Sequence, residues 1–156
     1  MKAYLAAALA LTAVSSLHAQ TAPAPPAIDY SVAPPMDGNW QYSSLSAGSE
    51  ARFVNGSGQT QLAIRCARTA RSVTLFKPAT GASAFISVWT TAQTRNLPAS
   101  FDPATGLLRA SLAAWDPLLD AIVFSRGRVE FGVASQPALV VPAWAEAARV
   151  VEDCRV

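Results

Sequence analysis

Residues 61–66 read Gln61-Leu62-Ala63-Ile64-Arg65-Cys66, an alternation that puts Leu62, Ile64 and Cys66 on one side of an extended segment and Gln61, Ala63 and Arg65 on the other. Successive side chains of a strand point to opposite faces, so this run is a strand with one buried face. Ser72-Val73-Thr74-Leu75-Phe76 repeats the pattern after an Arg-rich turn from Arg68 to Arg71, and Pro78 and Gly81 end it. Upstream, Asn55-Gly56-Ser57-Gly58 supplies turn residues with glycines for positive φ. Before it, Trp40-Gln41-Tyr42 and Ala51-Arg52-Phe53-Val54 read as short extended runs. Downstream, Ala84 to Thr91 sets Ile86 and Val88 opposite Phe85 and Trp89. Leu107 to Leu112 alternates again after the turn Asp102-Pro103-Ala104-Thr105-Gly106. About six short strands separated by turn signals predict an antiparallel sheet or sandwich.

The pattern changes at Asp116. Asp116 suits an N-cap, Pro117 the first helical position and Gly127 a left-handed stop, with Leu118, Leu119, Ile122 and Val123 forming one face between them. Arg128 to Val133 returns to alternation with Val129, Phe131 and Val133 inward, and Leu139 to Val141 adds a last strand. Pro142 then opens a final helix whose apolar stripe is Trp144, Ala147, Ala148, Val151 and Cys154, with Arg149 and Asp153 as i,i+4 neighbours on the other side. The predicted fold class is therefore β-rich α+β, an antiparallel β-sandwich-like sheet with two short helices in the C-terminal third.

The chain begins with one charge at Lys2, an apolar run from Leu5 to Val14 and a small residue at Ala19. That arrangement matches a secretory signal over residues 1–19, cleaved after Ala19, and the apolar run is too short to span a bilayer. The short leader places the mature chain in the periplasm of a bacterium. Residues 20–36 hold five of the eleven prolines and lack apolar periodicity, which reads as a Pro/Ala-rich disordered spacer before a single domain over 37–156.

Cleavage removes His18, the only histidine, which excludes His-based catalysis, His-ligated zinc and a His pH switch. No metal site and no cofactor motif is present in the sequence. The loss of Lys2 lowers the formal charge from +2 to about +1, too balanced for nucleic acid or an anionic membrane as the main partner. Ten of the remaining cations are Arg and one is Lys77. In an oxidising compartment Cys66 and Cys154 are expected to pair, closing a loop of 88 positions and stapling the last helix to the sheet; free thiols or a redox pair are the rivals.

The candidate partner-binding residues are Arg126 and Arg128, in Ser125-Arg126-Gly127-Arg128, helped by Arg95 or Arg109. The plainer reading is capping of a helix C-terminus with pairing to the acids Glu152 and Asp153, and the functional reading is a site for a carboxylate or phosphate of a partner. Of Trp40, Trp89, Trp115 and Trp144, packing explains most, and Trp115 is the one expected at a surface. Glu130 and Glu146 are isolated along the chain, Asp116 is explained as a cap, and no acid pair stands out for glycosidic chemistry.

The order of leader, early Trp, sheet with one central Cys, helix, strand, strand, helix and final Cys resembles exported bacterial β-sandwich proteins. The VasI-like type VI secretion-associated proteins and the invasion-associated locus B proteins are the families it resembles. Gln61–Cys66 and the segment from Asp116 to Cys154 carry the likeness, and the tail from Trp144 to Arg155 looks like that of exported proteins of Gram-negative bacteria. Two cysteines stand where the locus B pattern has several. The resemblance implies a fold and carries over no catalytic residue. The expectation is a non-enzymatic binding or structural protein of the envelope, with an unknown envelope protein or ligand as partner and no membrane span after cleavage. The alternatives are an inhibitor or binder of a secreted enzyme, acting through the arginines, and a carboxylate-based hydrolase.

Overall fold

The computed structural model describes residues 28–156; the expected leader over 1–19 and residues 20–27 of the proline-rich stretch lie outside the described residues. Ten strands and two helices follow in order: β1 (Gly38–Leu45), β2 (Gly48–Asn55), β3 (Thr60–Ala67), β4 (Ser72–Pro78), β5 (Phe85–Trp89), β6 (Thr94–Pro98), β7 (Ser100–Asp102), β8 (Leu107–Ala113), α1 (Pro117–Val123), β9 (Val129–Gly132), β10 (Leu139–Val141) and α2 (Ala145–Asp153). One sheet has six strands in the order β1-β2-β3-β4-β8-β7, and the other has four in the order β10-β9-β5-β6, all pairs antiparallel. The β-rich α+β class expected from the alternation is the one observed.

The first four strands form a meander because each connection has its own turn chemistry. Asn55 shapes the β2–β3 turn, its Oδ1 accepting from the backbone N–H groups of Ser57 and Gln59. Arg71 takes a positive φ of 44° to close the β3–β4 turn. Gly48 is required at the start of β2, where a Cβ would run into the Cys66 carbonyl. The inward row Leu62, Ile64 and Cys66 joins Phe53, Val73, Leu75, Leu108 and Ala110 in one core with Ile86, Val88, Val129 and Phe131 of the second sheet. Burying these aliphatic and aromatic side chains is the main stabilising term.

Two short elements escape the alternation. Only Leu97 is buried in β6, and β7 is three residues long, reached by a bend that carries the chain from one sheet to the other. In α1, Asp116 is the N-cap, accepting from the Leu118 N–H at 2.9 Å, with Pro117 in the first turn. The helix stops earlier than expected, at a Phe124 C-cap, and Gly127, with φ of 79°, sits in the following loop. The last helix begins at Ala145 rather than Pro142, because the extended Trp144 is its N-cap. Trp144 is consequently 42% exposed and lies off the apolar stripe, while Trp40 is buried and Trp115 is at the surface.

Helix α2 packs on β1, β2 and β3, and the Cys66–Cys154 disulfide ties its C-cap to β3 with the Cα atoms 5.4 Å apart. The Tyr42 hydroxyl donates to Asp153 at 2.7 Å, and the Trp40 indole donates to the Pro142 carbonyl at 2.9 Å. Residues 28–36, expected as part of the spacer, make specific contacts. Tyr30 packs on Trp89 with centroids 6.1 Å apart, the Ala33 carbonyl accepts from Arg128, and the Met36 N–H donates to Val140 at 2.8 Å. Among the described residues, no helix is long and apolar enough to cross a membrane.

Candidate functional site

With the inward rows committed to the core, the outward rows of the six-stranded sheet are free to meet a ligand. Strand register brings together residues that the sequence keeps far apart. Glu50 lies opposite Arg65, Arg52 opposite Ala63, Ala63 opposite Phe76 and Phe76 opposite Arg109. The half-buried Phe76 ring sits between two guanidinium groups, Arg65 at 5.0 Å and Arg109 at 5.9 Å from its centroid. Guanidinium over an aromatic face is attractive through the ring quadrupole and holds a long side chain in place. Arg52, Arg65, Phe76 and Arg109 border a hollow of about 540 Å³. A neighbouring hollow of about 660 Å³ shares Phe76 and Arg109 and extends over Thr74, Ser100 and Ser111.

The carboxylates of this face hold the arginines rather than standing free. Arg65 donates from Nε and Nη2 to Glu50 at 2.8 and 2.5 Å, and Arg52 Nε lies 3.5 Å from the other Glu50 oxygen. Arg109 pairs with Asp102, whose carboxyl is held below its ordinary range first by the Thr105 hydroxyl and then by the Ala104 N–H. The arginine of each pair is about half exposed, so solvent screens the attraction and the pairs contribute little stability. Their effect is positional: each fork is aimed while retaining N–H groups for a further acceptor, and Arg side chains carry five donors. The result is three cations on one face, Arg65 and Arg109 held by hydrogen-bonded acids, suited to carboxylate or phosphate oxygens.

The arginines expected to form a site are not gathered into one. Arg95 is committed to Asp116 through two parallel bonds of 2.8 and 2.7 Å, which also keep the Asp116 carboxyl below its ordinary range. Arg128 reaches the Ala33 carbonyl, and Arg109 belongs to the Phe76 face. Arg126 is exposed, its backbone N–H held by the Thr91 hydroxyl at 3.1 Å. No basic residue occupies the last turn of α1, so capping by cations is not their role. Besides Arg95 at the N-cap, Arg155 meets this helix, bonding Asp120 and the Ala114 carbonyl, both at 2.8 Å.

One acid stands apart. Glu130 on β9 is 2% exposed, on the outer face of the four-stranded sheet between Trp89 and Val140 in register. Residues 28–36 touch both neighbours, Tyr30 at Trp89 and Met36 at Val140, and so cross this acid. Its carboxylate leans into the space above Gly132, beside the Ser87 hydroxyl, where a Cβ at position 132 would collide with both. Burial pushes the carboxyl up to about 7, and the charge of Lys77 pulls it partly back. Among the described residues no group of three or more His, Cys, Asp or Glu is placed to hold a metal.

Comparison of the chain with protein-family models, with characterised proteins and with solved structures gives no match. The arginine face had only a faint sequence signal: Arg65 and Arg109 occupy outward positions of two alternating runs, but their meeting at Phe76 depends on a register that no local pattern encodes. Glu130 sits in an alternating run as an ordinary outward residue, and nothing in its neighbours marks it as buried.

Proposed function

We propose that the protein is a non-enzymatic binding protein of the bacterial periplasm, exported behind a cleaved leader, that holds a carboxylate-bearing component of the envelope on the Arg52, Arg65 and Arg109 face. The observation that carries this reading is the Phe76 ring bracketed by two guanidinium groups beside a hollow of about 540 Å³. Cations already positioned by a ring and by Glu50 and Asp102 lose little freedom on binding, so more of the interaction appears as affinity. Both acids of the face are bonded to arginine, an arrangement that favours recognition over acid–base chemistry and gives the hydrolase reading no support. The disulfide fits an oxidising compartment.

Titration with a uronic-acid oligosaccharide and its uncharged counterpart tests the reading. Binding should require the acid and weaken with salt, and Arg65→Ser with Arg109→Ser should reduce affinity at least about tenfold. Equal binding of the neutral sugar, or full affinity in the double variant, would refute it. The alternative, a binder of a secreted enzyme, now rests on Arg126 beside Phe124, which is 77% exposed on the loop after α1. Loss of an enzyme partner on Phe124→Ala with Arg126→Ala, at an unchanged thermal midpoint, would favour it.

A further inference from the structure

Lys77 continues an inward row. Along β4, Val73, Leu75 and Lys77 share the face that builds the core, yet the third is a cation and only 6% exposed. A buried ammonium is costly unless an acceptor or a counter-charge touches it. Among the described residues, no carboxylate approaches Lys77 within ion-pair distance, and Glu130 acts on it only through its charge. The side chain instead lines a hollow of about 410 Å³ beneath Met36. Ala138 and Leu139 supply apolar wall, while Gln61, Thr80 and Gln136 supply amide and hydroxyl groups.

We propose that this hollow is a binding site for a small organic acid, with the Lys77 ammonium taking its carboxylate and the Met36, Ala138 and Leu139 wall taking a short apolar tail. The volume falls within the range of small-molecule sites, and the lining has their composition, mostly apolar with one charged group and a few hydrogen-bonding groups. Glu130 is the acid whose charge acts on Lys77, but it does not touch it. Burial draws the ammonium toward its neutral form and Glu130 opposes that shift. Because the Glu130 carboxyl is itself pushed up to about 7, it is only partly ionised near neutrality and leaves the ammonium under-compensated. A bound carboxylate supplies the missing contact. This site lies on the inner side of β4, whereas Phe76, the next residue back, belongs to the outer arginine face.

The test uses the purified chain and straight-chain acids from acetate to octanoate, each against its neutral amide, read by calorimetric titration and by thermal midpoint. Binding should strengthen with tail length until the hollow is full, and the acid should bind at least about tenfold better than its amide. Lys77→Met removes the charge from an apolar row and should abolish the preference for acid over amide. Ala138→Phe fills the hollow without altering Lys77 and should abolish binding of both, with the unfolding transition still cooperative. Repeating the series in an Arg65→Ser, Arg109→Ser background separates the two surfaces. Acid binding that survives there and is lost on Lys77→Met belongs to the hollow. Acid binding that disappears there belongs to the outer face and overturns the proposal. It is equally overturned if no acid of the series binds below about 10 mM, or if Lys77→Met keeps the preference.

Discussion

Reducing the Cys66–Cys154 bond leaves the folded protein with nearly the same contacts and changes chiefly the unfolded chain. Both sulfurs are buried, and the thiols that replace the bond remain packed between β3 and the end of α2. The link closes 88 positions, and loop-closure entropy for that separation gives a loss of about 4.5 kcal/mol at 25 °C. For a domain of about 120 residues this lowers the thermal midpoint by roughly 15–18 °C. Urea unfolding at 25 °C with and without dithiothreitol measures the change directly. The reduced protein should show a lower midpoint together with a steeper denaturant dependence, because an unlinked chain exposes more surface. A loss under about 1 kcal/mol with an unchanged slope would refute the reasoning, since it would mean that the bond constrains little in the unfolded state.

Other outcomes follow from single contacts. Trp40→Phe keeps the packing on Phe53 but leaves the Pro142 carbonyl without its donor, and should cost about 1–2 kcal/mol in urea unfolding. Gly48→Ala drives a Cβ into the Cys66 carbonyl and should cost about 3 kcal/mol, visible as a lowered thermal midpoint. Glu130 has a folded pKa of about 7, above its ordinary 4.5, so its contribution is full below 4.5 and is lost as pH rises through 7. Stability should fall by on the order of 3 kcal/mol across that window, and Glu130→Gln should flatten the profile. Asp116 has the opposite sign: its folded pKa is depressed, so its contribution is present above about 3.8 and lost as pH falls below it. Arg95→Ala should cost about 1 kcal/mol near neutrality and little in acid, measured by unfolding at both pH values.

The parts of the fold that could be read from sequence are those in which one face of one element is buried. Leu62-Ala63-Ile64, Val73-Thr74-Leu75 and Val129-Glu130-Phe131 each carry enough alternation to define a strand and its inward side. Thr94 to Pro98 offers a single buried side chain, Leu97, and so gives no period to detect. Asp116 was legible because a cap is a local bond, two residues in reach, and the early stop of α1 was not because Gly127 serves the loop instead. The candidate sites failed for a different reason. Arg65, Phe76 and Arg109 meet through pairing across three strands, and Lys77 and Glu130 owe their burial to chain packed over them from elsewhere. Register and cover are properties of the assembled sandwich.

The stapled architecture also sets a timetable. Cys66 precedes Cys154 by 88 positions, so a chain delivered to an oxidising compartment from its N-terminus presents the first sulfur well before the second. Until Cys154 arrives, the β3 sulfur has no mate within the chain, which contains two cysteines. Scrambling within one molecule is therefore impossible, and the competing reaction is capture by a second nascent copy. The step that locks α2 onto the sheet is in consequence the last to be completed, and crowding of unfinished chains is the condition that endangers it.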